Sequence, residues 1–200
     1  MLGSITPLGE RGRNSTWGVT VGALLIGSVA GGAGAGVVAG SIGSLLRRPL
    51  RLPGGAAPVL LLGLVAAGLV MDSGLFGAKV PGPRRQVNED WLRRYRGWVY
   101  GLGFGLQLGS GVVTVVSISA VYSLIAAAFL SGSPAWGAVI GGSFGAVRAA
   151  TVFGVAGVDR PGRLVAVDRT LRGWDRPARR LALTAEAGLL AAGVAGLLVR

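Results

Sequence analysis

Residues 101–130 read GLGFGLQLGSGVVTVVSISAVYSLIAAAFL, thirty consecutive positions without a charge. A straight helix crosses the hydrocarbon of a bilayer in about 20 residues. The run is therefore longer than one span needs, and it is not uniformly apolar. Glycines stand at 101, 103, 105, 109 and 111, and Gln107, Ser110, Thr114, Ser117, Ser119, Tyr122 and Ser123 place polar groups inside it. Glycine weakens a helix, and side-chain hydroxyls and amides can satisfy backbone groups freed by a break in lipid. The stretch is expected to form a long or broken transmembrane helix that lines a pathway.

Other apolar runs flank it. Trp17 to Leu46 carries no charge, and Gly27/Gly31, Gly32/Gly36 and Gly36/Gly40 give it small-xxx-small spacings. In lipid such spacings let a neighbouring backbone approach closely, so Gly27, Gly31, Gly32, Gly36 and Gly40, with Gly105 and Gly109 of the central run, are read as packing positions. Residues 56–76 form a second segment, with Asp72 near its end expected at the interface. Segments at about 135–157 and 181–199 complete the set. The chain reads as an all-α, polytopic integral membrane protein with about five transmembrane helices. It divides into a polar lead (1–16), a first membrane half of two helices (17–76), a basic loop with an interfacial helix (77–97), and a second half of three helices (98–200). The last contains the basic loop 158–180. No basic stretch followed by a short apolar run marks a cleavable signal peptide at the start.

Net charge is +12, and most charges fall in short blocks between apolar runs. In a soluble domain this surplus would point to nucleic acid. Beside membrane segments it reflects orientation bias and anionic headgroups, so the expected partners are the bilayer and a small solute, with no nucleic acid. Loops 77–97 and 158–180 each hold about four excess positive charges and should face the cytoplasm of a prokaryotic-type inner (plasma) membrane. Asn88 is placed to cap a short helix beginning at Glu89, and Arg163 to Arg172 to form a short amphipathic helix. Arg47, Arg48 and Arg51 then fall outside, against the positive-inside rule.

The chain has no cysteine and no histidine, which excludes thiol relays, disulfides and Cys/His metal sites within it. No nucleophile–base arrangement, paired catalytic carboxylates or phosphate loop is present, so no catalytic residue, metal or cofactor is expected and an enzyme is disfavoured.

Trp17-Gly18-Val19-Thr20-Val21-Gly22 aligns with Trp136-Gly137-Ala138-Val139-Ile140-Gly141, and LLGLVAAGLV at 61–70 with LLAAGVAGLLV at 189–199. Segments one and two thus look like an inverted repeat of segments four and five, a recurring plan of secondary transporters. The central run has no counterpart in the first half, so a complete three-plus-three molecule would need a helix before Met1. With Gly103-Phe104-Gly105, the polar stretch 107–114 and the Gly-rich segment 135–157, the chain resembles the superfamily of the cytochrome c biogenesis thiol transporter, the DsbD transmembrane domain, and the LysE-type and sulfite-exporter permeases. That resemblance implies two inverted three-helix halves. It departs from the thiol transporters in lacking their cysteines, with Ser110 near the position of one.

Two features could carry chemistry. Gln107, Ser110, Thr114 and Ser117 lie near one helical stripe, either lining a substrate pathway or satisfying local backbone. Arg148 lies mid-segment, where a charge faces a partner or an aqueous cavity. It either forms a structural or gating pair with Glu186, binds an anion directly, or is exposed by a shifted helix boundary. The expected function is export or exchange of a small anionic or zwitterionic solute. The alternative is a non-transporting scaffold or assembly partner, as a homodimer or with another membrane protein.

Overall fold

The computed structural model describes residues 5–47, 55–74, 91–111 and 119–199. Among them the secondary structure is entirely helical: α1 (Pro7–Gly12), α2 (Trp17–Arg47), α3 (Ala56–Ser73), α4 (Trp91–Arg94), α5 (Gly97–Ser110), α6 (Ala120–Ser131), α7 (Pro134–Ala150) followed by a 3₁₀ segment (Thr151–Val155), α8 (Pro161–Gly173) and α9 (Asp175–Leu198). Four stretches are long and apolar enough to cross a membrane: Trp17–Arg47, Ala56–Ser73, Pro134–Val155 and Pro177–Leu198. The chain is an all-helical membrane protein on these grounds.

Local sequence explains most boundaries. α2 runs 31 residues because no proline or charge interrupts it before Arg47, and Pro49 follows. At roughly 1.5 Å per residue it is about 46 Å long, well beyond the ~30 Å hydrocarbon. Pro134 opens α7, where the Ser133 hydroxyl accepts from the Trp136 N–H at 3.4 Å. α5 ends at Gly111 with φ 70°, a left-handed stop that glycine adopts without strain. The charge-free run is therefore broken rather than continuous: α5 and α6 are separate pieces of 14 and 12 residues. Each is too short to span alone. Thr114 and Ser117 lie outside the described residues, as do Asn88, Glu89 and Arg48 to Gly54.

α2 is the axis of the fold. Gly27 meets the Leu102 carbonyl and Gly31 the Leu106 carbonyl, the register of a parallel pair with α5. On another face, Gly32 meets Gly141, Gly36 meets Gly137 and Gly40 meets Ser133, the register of an antiparallel pair with α7. The contacts are reciprocal, for a methyl on Gly137 would in turn strike the Gly36 carbonyl. Ser28 closes the row by donating to the Gly145 carbonyl at 2.8 Å. Gly105 and Gly109 press against Leu24 and Ser28 of α2. All seven glycines read as packing positions thus sit at backbone-to-backbone contacts inside the bundle.

α3 and α9 pack on each other, with Gly193 against Leu62, and reach the rest through α6. The amphipathic helix expected at 163–172 is α8, and α9 begins six residues before the expected Leu181. The lead is not simply a polar tail. Its Ile5 joins a buried cluster with Val21, Leu24, Leu92, Tyr100, Phe104, Val152, Val155 and Val158. Leu8 N–H donates to the Val158 carbonyl at 3.1 Å, so α1 is clamped across one end of the bundle.

Candidate functional site at the broken helix

A helix that stops inside an apolar bundle leaves carbonyls bare at one end and N–H groups at the other, and other partners must satisfy them. Each end of the break is met here by a charged side chain from a different helix. At the end of α5, Arg148 Nη1 of α7 donates to the Leu108 carbonyl at 3.2 Å. Its guanidinium lies 5.5 Å from the centre of the Phe144 ring, within cation–π reach. Phe144 also packs against Gly111, the residue that ends α5. A cation is the right sign for the negative end of a helix dipole.

At the start of α6, Ser119 donates through both its N–H and its hydroxyl to Asp72 Oδ2, each at 2.8 Å. Asp72 belongs to α3, and an anion suits the positive end of a helix. Gly68, one turn earlier on α3, makes this possible, because a methyl there would overlap the Ser119 hydroxyl. Arg179 of α9 donates through Nε and Nη2 to the Asp72 main-chain carbonyl at 3.2 and 2.7 Å. Glu186, two turns further along α9, is only 7% exposed. It lies within electrostatic reach of Asp72 and beside the Ser119 hydroxyl, and both of its carboxylate oxygens lack a hydrogen-bond partner.

The structure sorts the expected site residues. Gln107 and Ser110 are half-buried at the end of α5, and the Ser110 hydroxyl donates to the Gln107 carbonyl at 3.0 Å, which is backbone satisfaction. Arg148 and Glu186 are not brought together: Arg148 serves α5, whereas Glu186 faces the Asp72–Ser119 contact. Asp72 is not merely interfacial but is a ligand of α6. Sequence reasoning passed over Ser119 as one hydroxyl among many. The available signal was a lone acid one turn after a glycine in an otherwise apolar helix. Among the described residues no group of three or more Asp, Glu, His or Cys could hold a metal ion.

A second buried polar cluster lies where α1 meets the bundle. Glu10 is fully buried and accepts from Tyr100 Oη at 2.5 and 2.6 Å, from Thr20 Oγ1 at 2.7 Å and from Arg13 Nη2 at 2.7 Å. Burial works against the Arg13 charge, and the hydrogen bonds to Glu10 and Tyr100 outweigh it, so the Arg13 pKa lies above its ordinary value. No short-range pattern in the lead announces this contact, because Tyr100 is 90 residues away.

The fold and site together define an all-helical membrane protein with a charge-capped helix break. Over 117 residues the chain is 37% identical to the methylamine utilization protein MauF of Methylorubrum extorquens. The match covers 57% of this chain and 36% of that protein, so the shared part is about a third of the relative's length. No family model and no solved structure matches the chain.

Proposed function

We propose that the protein is a membrane transporter that exports or exchanges a small charged solute, anionic or zwitterionic, through the region of the α5–α6 break. The observation that carries this reading is the discontinuous helix with Arg148 at one open end and Asp72 at the other. Broken helices whose ends point at charged groups are the usual construction of solute sites in secondary transporters. The peripheral pair α3 and α9 meets the glycine-packed core through α6 and offers an element that can rock against it. In this reading α5 and α6 together make a fifth crossing of an inner (plasma) membrane, and residues 17–73 and 134–198 are related as inverted repeats. The antiparallel, reciprocal contact of α2 with α7, and the pairing of α3 with α9, support that relation. Its internal register differs from the tryptophan alignment, since Ser28, Gly32, Gly36 and Gly40 are matched by Ser133, Gly137, Gly141 and Gly145. Relatedness to the LysE-type and sulfite-exporter permeases is part of the same proposal.

A scaffold would bind another membrane protein through glycine surfaces, whereas the seven glycines read as packing positions meet backbone inside the bundle, which favours the transporter reading. The test is solute uptake by the full chain in lipid vesicles, with labelled sulfite and lysine as probes. Uptake of one of them, lost on Arg148→Ala or Gln107→Ala, is the expected result. No uptake above empty vesicles, or uptake retained in both variants, overturns it.

A further inference from the structure

We propose that Asp72 and Glu186 form a proton-binding pair inside the bundle, with one proton held between the two carboxyl groups. The position is built from three helices. α3 contributes Asp72, α6 contributes Ser119 at its first turn, and α9 contributes Glu186. Arg179 of α9 reaches Asp72 only at its backbone carbonyl, to which Nε and Nη2 donate. Ser119 directs both of its donors at Asp72.

Glu186 therefore faces a carboxylate and a hydroxyl whose hydrogen is already given away, with its own two oxygens unpartnered and buried. Two ionised carboxylates so placed, with Glu186 buried in a low-dielectric interior, would repel each other. A single proton removes the conflict. Protonated Glu186 becomes a donor, Asp72 remains an acceptor, and the pair titrates as a unit. A metal ion fits less well. The side-chain oxygens here are two carboxyl groups and one hydroxyl, and the N–H of Ser119 points at the same Asp72 oxygen a cation would need.

As the coupling site of a transporter, the pair rests on the function proposed above, but as a proton site it does not. Infrared spectroscopy of the reconstituted full chain separates the two. At neutral pH the protein should show the carbonyl stretch of a protonated carboxyl, shifted in heavy water and lost on raising the pH. The band should disappear in Glu186→Gln. In Asp72→Asn it should be lost at a lower pH, because the neighbouring negative charge that favours the proton is gone. If Glu186→Gln does not fold, the pH shift in Asp72→Asn decides alone. Absence of the band at neutral pH overturns the proposal, as does a band unchanged in either variant. Loss of the band on adding sodium at fixed pH overturns it too, in favour of a metal-cation site. A normal band in a protein that moves no solute leaves the proton site standing and removes the transporter.

Discussion

Glu10 is surrounded by donors from three places in the chain: Arg13 three residues on, Thr20 in α2 and Tyr100 in α5. An acid with such partners stabilises the fold less than its hydrogen bonds suggest, because it was well solvated before folding, yet removing it is costly. In Glu10→Ala the Tyr100 hydroxyl is left buried without its acceptor, and thermal unfolding in detergent should report a loss of about 3 kcal/mol. Tyr100→Phe removes one charge-assisted bond and should cost about 2 kcal/mol. The double variant should be less destabilised than the sum, because both changes delete the same contact. Wild-type stability in Glu10→Ala would show that α1 does not bind the bundle in this way. Arg148 differs in kind, since its guanidinium completes a helix end. Arg148→Met keeps bulk but leaves the Leu108 carbonyl bare, and amide exchange at the end of α5 should rise well above that in α2. Equal protection in the variant and the parent would remove Arg148 from that end.

At the scale of the element, α2 is defined by what it lacks on the faces turned to α5 and α7. Gly36 touches the Gly137 carbonyl, and a side chain there must push two helices apart. Gly36→Val should therefore destabilise by roughly 2 kcal/mol or more, the cost of overpacking a tight contact. Gly34 has open space around it, and Gly34→Ala should be neutral or gain about 0.5–1 kcal/mol through helix propensity. Opposite signs at two glycines of one helix would tie the effect to packing; equal losses would refute it. This contrast also shows what was legible in the sequence. The four-residue spacing at Gly32, Gly36 and Gly40 announces a close-packed face, because spacing along a helix is a local property. The break in the central run was foreseeable from its glycines. Which charge meets which end of the break was not, because Asp72 and Ser119 are 47 residues apart and Arg148 and Leu108 are 40 apart. Arg148 and Glu186 looked like natural partners by sign alone. Helix placement gave each a different neighbour.

For the whole molecule, the question is which end faces the cytoplasm. The parallel register of α2 with α5 puts Trp17 and Gly97 at one end, and the antiparallel register with α7 brings Val155 there too. The lead joins them through the Leu8–Val158 hydrogen bond. Arg11, Arg13, Arg94, Arg96, Arg160 and Arg163 are therefore gathered at or next to one end, although the sequence scatters them over 150 positions. At the far end Arg47 lies beside Gly132, in the turn between α6 and α7. Six arginines at this end exceed the three that the sequence carries at 47, 48 and 51, so the positive-inside rule predicts a cytoplasmic lead. α9 starts beside the end of α3, at Arg179, and runs antiparallel to it past Leu62, so residue 198 should emerge on the opposite side. The chain has no cysteine, so single introduced thiols report location without background. In intact cells, Asn14→Cys and Arg163→Cys should resist a membrane-impermeant thiol reagent until the cells are opened, whereas Leu198→Cys should react at once. Labelling of Asn14→Cys in intact cells would invert the orientation. Protection of Leu198→Cys together with Asn14→Cys, with both reacting only after the cells are opened, would place both ends of the chain on one side and leave α5 and α6 without the crossing assigned to them.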